Sequence, residues 1–504
     1  MTDRDDRPVS RLPFDDFERM FTMNSSLSNT TSLRTAILEA VDSKAPAFHD
    51  LSDRIWGYAE LGYCEFKSME AQIEALAAEG FRITRNVGGV PTAFMAEAGS
   101  GGPVVALLGE FDALAGLSQV AGATAPRAEV AEAPGHGCGH NLLGSGAALG
   151  AAALAAALTR EGLPGRVRYY GCPAEEGGGG KAFMARGGAF DDVDLALTWH
   201  PAAYTGMNFA DTLAFLQASV RFTGRAAHAG LSPHLGRSAL DAVELMNVGV
   251  NYMREHMIPE ARVHYAYRDA GGRAANVVQA NAEIAYVVRA PDLNQLWQLF
   301  ERVKKIAEGA ALMTETTVEV RVESGMSNVL LNRTLGDALY RRMQDVGGVR
   351  FDEDDFRTAQ AFMETLSAED LRHVRTKGFG SGSAPERSLH DGVAPFDGTR
   401  TRNFGSTDVG DVSWVVPTAQ FWGATCAMGT PFHSWQLVAQ GKLPGAHKGM
   451  TNAASILALT ALDALADPDL IAKAKEEFRT LTGGRPYQCP VPADVQPPLP
   501  ATAA

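Results

Sequence analysis

Three short patches of this 504-residue chain combine side chains that can hold and use a divalent cation: Gly135-His136-Gly137-Cys138-Gly139-His140-Asn141, Pro173-Ala174-Glu175-Glu176-Gly177 and Thr198-Trp199-His200-Pro201. Cys138 and His140 put a thiolate and an imidazole on one tight loop, and the flanking glycines let the backbone approach an ion. Glu175 and Glu176 follow the apolar run Tyr169-Tyr170-Gly171-Cys172. Neighbours on an extended backbone point opposite ways, so one carboxylate can coordinate metal while the other takes a proton from water. His200 ends a second apolar run, and His433 in Pro431-Phe432-His433-Ser434-Trp435 adds an imidazole. Each patch has a plain structural reading by itself: a buried small thiol, two solvated acids on a turn, a strand-end histidine. Together they point to metal-assisted hydrolysis. His136, His228, His234 and His447 complete the plausible set; His49, His256, His264, His373 and His390 read as ordinary surface or core residues.

These residues need a frame that brings distant segments together. From Ser32 to about Gly80 apolar residues recur at helical spacing: Leu33, Ile37, Val41, then Ile55, Met69, Ile73, Leu76. Short continuous apolar runs at 104–108, 166–171 and 194–198 read as strands buried on both faces, alternating with helices after Asn141 and over 180–186. That alternation predicts an α/β domain with a mostly parallel central sheet, whose sites lie in loops beyond the carboxyl ends of the strands. Glu110-Phe111-Asp112, Glu175-Glu176 and His200 all fall there. Between Thr212 and Glu323 the order becomes β-α-β-β-α-β, with a strand expected over 276–289, predicting an inserted ferredoxin-like α+β domain. The expected division is a disordered extension over 1–31, a discontinuous catalytic domain over 32–211 and 324–480, a lid and dimerisation domain over 212–323, and a disordered Pro-rich tail over 481–504. The polar stretch 345–403 reads as an insertion, and Ala121–Pro134 as a flexible flap before the metal motif.

With 45% hydrophobic residues the chain can fill more than one core, and its length favours two domains. A net charge of −14 without any Lys/Arg run argues against nucleic acid or an anionic membrane as partner. No membrane span is expected, and the Ala-rich run 144–158 reads as a buried helix. The five cysteines are widely spaced and the N-terminal residues lack an apolar core, so a cytoplasmic protein is expected, with Met23 as an alternative start.

The order of motifs resembles the dinuclear-metal amidohydrolases and metallopeptidases that include aminoacylases, glutamate carboxypeptidases and auxin-conjugate hydrolases. The resemblance runs over nearly all of 32–465 and is carried by Gly109-Glu110-Phe111-Asp112-Ala113-Leu114, the stretch 135–144, Pro173–Gly177, Gly224-Arg225-Ala226-Ala227-His228-Ala229, the stretch 405–413 and Ala446-His447-Lys448-Gly449-Met450. It implies two divalent ions, manganese or zinc, held by Cys138, His140, Glu176, His200 and His433. It further implies Glu175 as general base, Asp112 orienting a ligand from behind, and His228 reaching across a dimer interface to the oxyanion in the partner's site. Asn276 falls where such enzymes touch substrate, and Arg237, with Arg273 and Lys448, is a candidate clamp for a substrate carboxylate. The implied reaction is hydrolysis of an N-acyl amino acid, such as the aromatic acyl-glutamate p-aminobenzoyl-glutamate, by a homodimer or a heterodimer with a homologous subunit. A dipeptidase or deacylase on the same scaffold, and a non-catalytic partner subunit, remain open. Asn141 replaces the aspartate of the auxin-conjugate branch, and Ala115 stands where proline is usual.

Overall fold

The computed structural model describes residues 14–372 and 387–498. Its central sheet has seven strands: β1 (Arg82–Arg85), β2 (Phe94–Ser100), β3 (Val104–Glu110), β4 (Gly165–Cys172), β5 (Leu195–Ala202), β6 (Gly206–Met207) and, from the far end of the chain, Thr418–Ala424. The spatial order is β1-β2-β4-β3-β5, then Thr418–Ala424, then β6. The four inner strands run parallel and the edges antiparallel. Every residue of β3 is buried, as a parallel strand covered on both faces requires. One face is covered by the helices Phe14–Tyr58, His140–Glu161 and Pro444–Ala466, which pack on one another. Leu33, Ile37, Val41, Phe48, Leu51 and Ile55 form the buried stripe of the first of these. His140–Glu161 is apolar enough to cross a membrane, yet most of it is buried inside the protein, which accounts for its composition.

Residues 214–326 build a second sheet from β8 (Ala214–Thr223), β9 (Arg262–Asp269), β10 (Asn281–Ala290) and β11 (Thr317–Met326), the short β7 (Ala210–Asp211) lying just before it. The order β11-β8-β10-β9 is antiparallel throughout, which is the ferredoxin-like arrangement. The helices Ala239–Met253 and Leu293–Thr314 cover one face, enclosing a core of their own around Leu216, Val243, Met246, Tyr286, Phe300 and Val303. Strand β9 is an edge of this sheet and pairs with no further strand among the described residues.

Five expectations need correction. Residues 14–31, expected as disordered, continue the helix that runs to Tyr58, because extending a helix already nucleated by a packed segment costs little; residues 1–13 lie outside the described residues. The Pro-rich tail is packed as far as it is described: Tyr487, Cys489, Val491 and Val495 join the apolar cluster of Phe183 and Val412. Tyr487 Oη donates to Asp411 at 2.8 Å, and Arg186 donates to the carbonyls of Pro492 and Val495 at 2.8 Å each. Residues 499–504 lie outside the described residues, as does His373. The polar stretch 345–403 contains the helix Glu353–Met363, started by an Asp352/Asp355 capping box, and a strand β12 (Thr401–Arg402) that pairs with β7. The expected strand 276–289 begins only at Asn281; before it the chain turns and touches the 224–237 loop through the bridge His228–Val277. The segment 121–134 is tied back by Gly122 N to Ala439 O at 2.8 Å and by the Gln119 side chain to Ala125 and Arg127.

Candidate active site

The carboxyl ends of the parallel strands converge on one cluster. β3 delivers Glu110 and, just beyond, Asp112; the loop after β4 delivers Glu175 and Glu176; His200 lies within β5; the loop after Thr418–Ala424 delivers His433. Cys138 and His140 come from the turn that starts the helix His140–Glu161, where Gly139 takes φ 77°. A Cβ there would sit 3.0 Å from Pro201, so only glycine lets the thiol and imidazole close in on β5. Ala174 and His433, both at φ 57°, hold left-handed backbone that non-glycine residues seldom adopt, and they flank or belong to the cluster. His433 N is anchored to Gly137 O at 2.8 Å.

Donor atoms of Cys138, His140 and His200 lie within 4.8 Å of one another, as do those of Cys138, Glu176 and His433, and those of Glu110, His140 and Glu175. Cys138 Sγ is 3.4 Å from His200 Nε2, and His433 Nε2 is 3.3 Å from Glu176 Oε2. His140 Nδ1 meets Asp112 Oδ1 at 2.9 Å, while the other Asp112 oxygen accepts Glu176 N at 2.8 Å. One aspartate thereby sets both the ring of His140 and the loop of the carboxylate pair. Burial, then the nearby His140, pulls His200 down to about 4, so its imidazole is neutral; Nδ1 donates to Pro201 O at 2.8 Å, which leaves the lone pair on Nε2, facing Cys138 Sγ. Burial, Glu110 and Glu176 push Glu175 well above the ordinary carboxylate range, a shift that suits a proton acceptor.

A layer of buried charge lies beneath. Lys181, fully buried, bonds Glu110 Oε1 at 2.6 Å and also Asp408, whose other oxygen accepts the Lys181 N–H at 2.8 Å. Burial pulls the ammonium down, but Asp408 and Glu110 more than offset it and hold it charged. Replacing Lys181 by Met leaves two buried carboxylates without a counter-ion and is expected to cost about 3–5 kcal/mol. Denaturant unfolding checks this, and a variant as stable as the parent would remove Lys181 from the counter-ion role.

The structure gathers Asp112, Cys138, His140, Glu175, Glu176, His200 and His433 as expected from sequence. It does not gather the others. His228 is exposed on the lid; its Nδ1 accepts the N–H groups of Gly230 and Leu231 at 3.2 and 3.0 Å, which leaves the proton on Nε2. Asn276 is exposed beside it, its carbonyl accepting Ala229 N. Arg237 is a correction: its guanidinium bonds Glu315 and the carbonyls of His234 and Gly236, so the local ion pair and turn account for it. Lys448 is held by Asp352 and Asp355. His136 is anchored to Ile55 O at 3.0 Å, and His447 bonds Asp53 and stacks on His49. Asn141 donates to Ser52 Oγ and Gly441 O, bonds that an ionised aspartate could not make. The sequence reading places Glu110 among the strand-end acids and Asp408 within the 405–413 motif without giving either a role, and it misses Lys181 and Arg289. Glu110 carries a signal in its strand-end position before Asp112 and Asp408 in its motif; Lys181 and Arg289 sit in unremarkable local sequence.

Arg289, on β10, faces the cluster from the lid across a cavity of about 470 Å³ that Glu175, Glu176 and His433 also line. It donates to Ser406 Oγ at 2.7 Å and lies over the Phe215 ring. Arg262 and His264 of β9 line the same space.

The donor set fits divalent ions. His140 Nε2 and Glu110 Oε2 face each other as an ion pair at 3.2 Å, and with Glu176 Oε1 they are buried polar atoms that make no hydrogen bond. Such orphans converging with a thiol and two further imidazoles are what metal coordination satisfies. Burial and Glu176 push the Cys138 thiol well above its ordinary value, so it is protonated at neutral pH and must lose that proton to ligate. Loading metal-free protein with Zn2+ at pH 7 is therefore expected to release at least one proton per chain, with apparent affinity rising about tenfold per pH unit. Indicator-dye titration measures this; loading without proton release would exclude the thiol as a ligand.

The profile of Peptidase family M20/M25/M40 matches residues 106–395. The chain belongs to this family. The M20 assignment makes it a metal-dependent amide-bond hydrolase. The B-type subunit of p-aminobenzoyl-glutamate hydrolase from Escherichia coli strain K12 is 48% identical over 91% of this chain and 97% of its own length. The Xaa-Arg dipeptidase of Mus musculus is 29% identical over 90% and 94%. Among solved structures, an aminobenzoyl-glutamate utilization protein from Klebsiella pneumoniae shares the fold with a TM-score of 0.54 at 20% identity, over 84% of this chain and 97% of that one.

Proposed function

We propose that this M20 hydrolase cleaves the amide of an N-acyl amino acid, with an acidic amino acid such as glutamate as the amine half. The observation that carries the reading is the carboxylate pair and ligand cluster facing Arg289 across one cavity. Cys138, His140, Glu176, His200 and His433 would hold two divalent ions, Mn2+ or Zn2+; when bound, such ions polarise the amide carbonyl and acidify water. Asp112 orients His140 and the Glu175-Glu176 loop. Glu175 takes the proton of the attacking water and passes it to the leaving nitrogen. Arg289 pairs with the substrate α-carboxylate, with Arg262 and His264 within reach of a side-chain carboxylate.

His228 completes the site from a neighbouring protomer. With Nδ1 engaged by backbone, its Nε2–H is free to donate to an oxyanion, and among the described residues no ligand cluster of its own chain includes it. The β9 edge, with exposed Tyr265 and Tyr267, and the exposed Leu245, Val248 and Tyr252 on the adjacent helix offer the dimer surface. The partner is a second copy or a homologous chain, as the paired A-type and B-type names of the Escherichia coli relatives suggest.

The test is a panel on metal-reconstituted protein of known oligomeric state: p-aminobenzoyl-glutamate, N-acetyl amino acids and dipeptides ending in arginine. The acyl-glutamate is expected to give the highest kcat/KM. A dipeptidase would have to place a cationic side chain beside Arg262 and Arg289, which like-charge repulsion opposes; preference for the arginine dipeptide would overturn the proposal. Arg289→Ala is expected to raise KM by about 10- to 100-fold, the loss of a charge-assisted hydrogen bond of roughly 1.5–3 kcal/mol. An unchanged KM for acyl-glutamate would remove Arg289 from the clamp.

A further inference from the structure

Glu65 is a buried acid that the reaction above does not use. It begins the helix Phe66–Ala78 and is fully buried, yet its side chain makes no capping bond to that helix. Its Oε1 instead accepts the Ala174 N–H at 2.8 Å, and Oε2 is buried without a hydrogen-bond partner among the described residues. Burial, then the charge of Asp112, push this carboxyl up, so it favours its neutral form. Burying an acid is costly, and its partner supplies a reason for the cost.

Ala174 holds φ 57°, left-handed backbone that a residue with a Cβ seldom adopts, and it turns the chain directly before Glu175 and Glu176. Such a turn persists only where its surroundings over-determine it. Tyr63, two residues before Glu65, bonds the far end of the same loop: its Oη donates to Gly178 O at 2.8 Å. A Cβ on Gly178 would lie 2.8 Å from the Tyr63 ring and from Ala174 Cβ, so the glycine lets ring and loop close together. The short stretch 60–65 thus grips the carboxylate pair at both ends. It also holds the neighbouring strand end, because the Ala113 N–H, next to Asp112, donates to Glu60 O at 2.8 Å.

We propose that Glu65 and Tyr63 are positioning residues for the hydrolysis: Glu65 fixes the Ala174 turn, Tyr63 fixes Gly178, and together they set where the carboxylates of Glu175 and Glu176 stand relative to Asp112. The inference rests on the roles given above to that pair and adds what aims it. Neither residue belongs to the ligand cluster. Each acts through one hydrogen bond to the backbone of the loop.

The test makes two measurements on Glu65→Leu, Glu65→Gln and Tyr63→Phe: amide hydrogen exchange of the peptide spanning 173–178 and, at wild-type metal content, kcat and KM on the panel substrate that wild type cleaves fastest. Leucine removes the acceptor and leaves the Ala174 N–H buried and unpaired, so exchange over 173–178 is expected to speed up by about tenfold or more. In the same variant kcat is expected to fall by about 10- to 100-fold with KM within about threefold, because a misplaced base slows the chemical step and leaves binding alone. Glu65→Gln keeps an acceptor of the same shape and is expected to restore slow exchange and a kcat within about threefold of wild type. Unchanged exchange in Glu65→Leu overturns the proposal; so does a glutamine variant as impaired as the leucine one, and so does a loosened loop whose kcat holds. If Glu65→Leu does not fold, Tyr63→Phe decides: faster exchange with lowered kcat supports the proposal, and wild-type values overturn it. Full turnover by Glu175→Gln would instead defeat the reading of the carboxylate pair, and the exchange measurement then decides by itself whether Glu65 and Tyr63 hold the loop.

Discussion

Glu175→Gln is expected to lower kcat by about 10²–10⁴-fold while metal content per chain stays that of wild type. The expectation follows from placement. Glu175 and Glu176 are adjacent on one loop, but Glu176 is tied down, its N–H on Asp112 and its carboxylate on His433. Glu175 lies among the carboxylates of Glu110, Glu176 and Asp408, and burial with these charges raises its proton affinity. Glutamine keeps the shape and removes the proton acceptor. A loss of turnover accompanied by loss of metal would make Glu175 a ligand; full turnover would end its role as base.

His228→Ala is expected to lower kcat by about 10²–10³-fold, the usual effect of removing one oxyanion donor. It should do so without changing metal content, since His228 sits on the lid outside the cluster. Mixing His228→Ala with Glu175→Gln under conditions that let protomers exchange is expected to restore activity well above either variant alone, because one site of each mixed dimer then has both groups intact. Failure of the mixture to recover, with exchange verified by mass, would place His228 outside the partner's site.

Asp112, Glu175, Glu176, His200 and His433 could be read from sequence because they follow or end apolar runs, and parallel strands deliver the residues at their carboxyl ends to one rim, whereas Cys138 and His140 are legible from their glycine-framed motif. His228 and Asn276 are further along the chain yet side by side in space, and a motif alone could not show that the histidine ring has its Nδ1 engaged by backbone. Arg237 looked like a substrate clamp because a basic residue in a motif-rich loop carries no mark of its ion pair with Glu315. The reverse holds for Arg289 and Lys181. Arg289 lies on an alternating lid strand and Lys181 at the start of a short helix, and their roles exist only through contacts with Ser406 and with Glu110 and Asp408. The packed tail escaped for a related reason: proline-rich sequence needs no regular structure to fill a groove, and Tyr487 finds Asp411 only in the folded chain.

Metal stoichiometry measured together with activity tests the proposed dinuclear site. Protein stripped by a chelator is expected to be inactive and to regain turnover as Mn2+ or Zn2+ is restored, saturating at two ions per chain, with Cys138→Ala and His200→Ala binding fewer. Undiminished amide hydrolysis by protein holding no appreciable metal would contradict it.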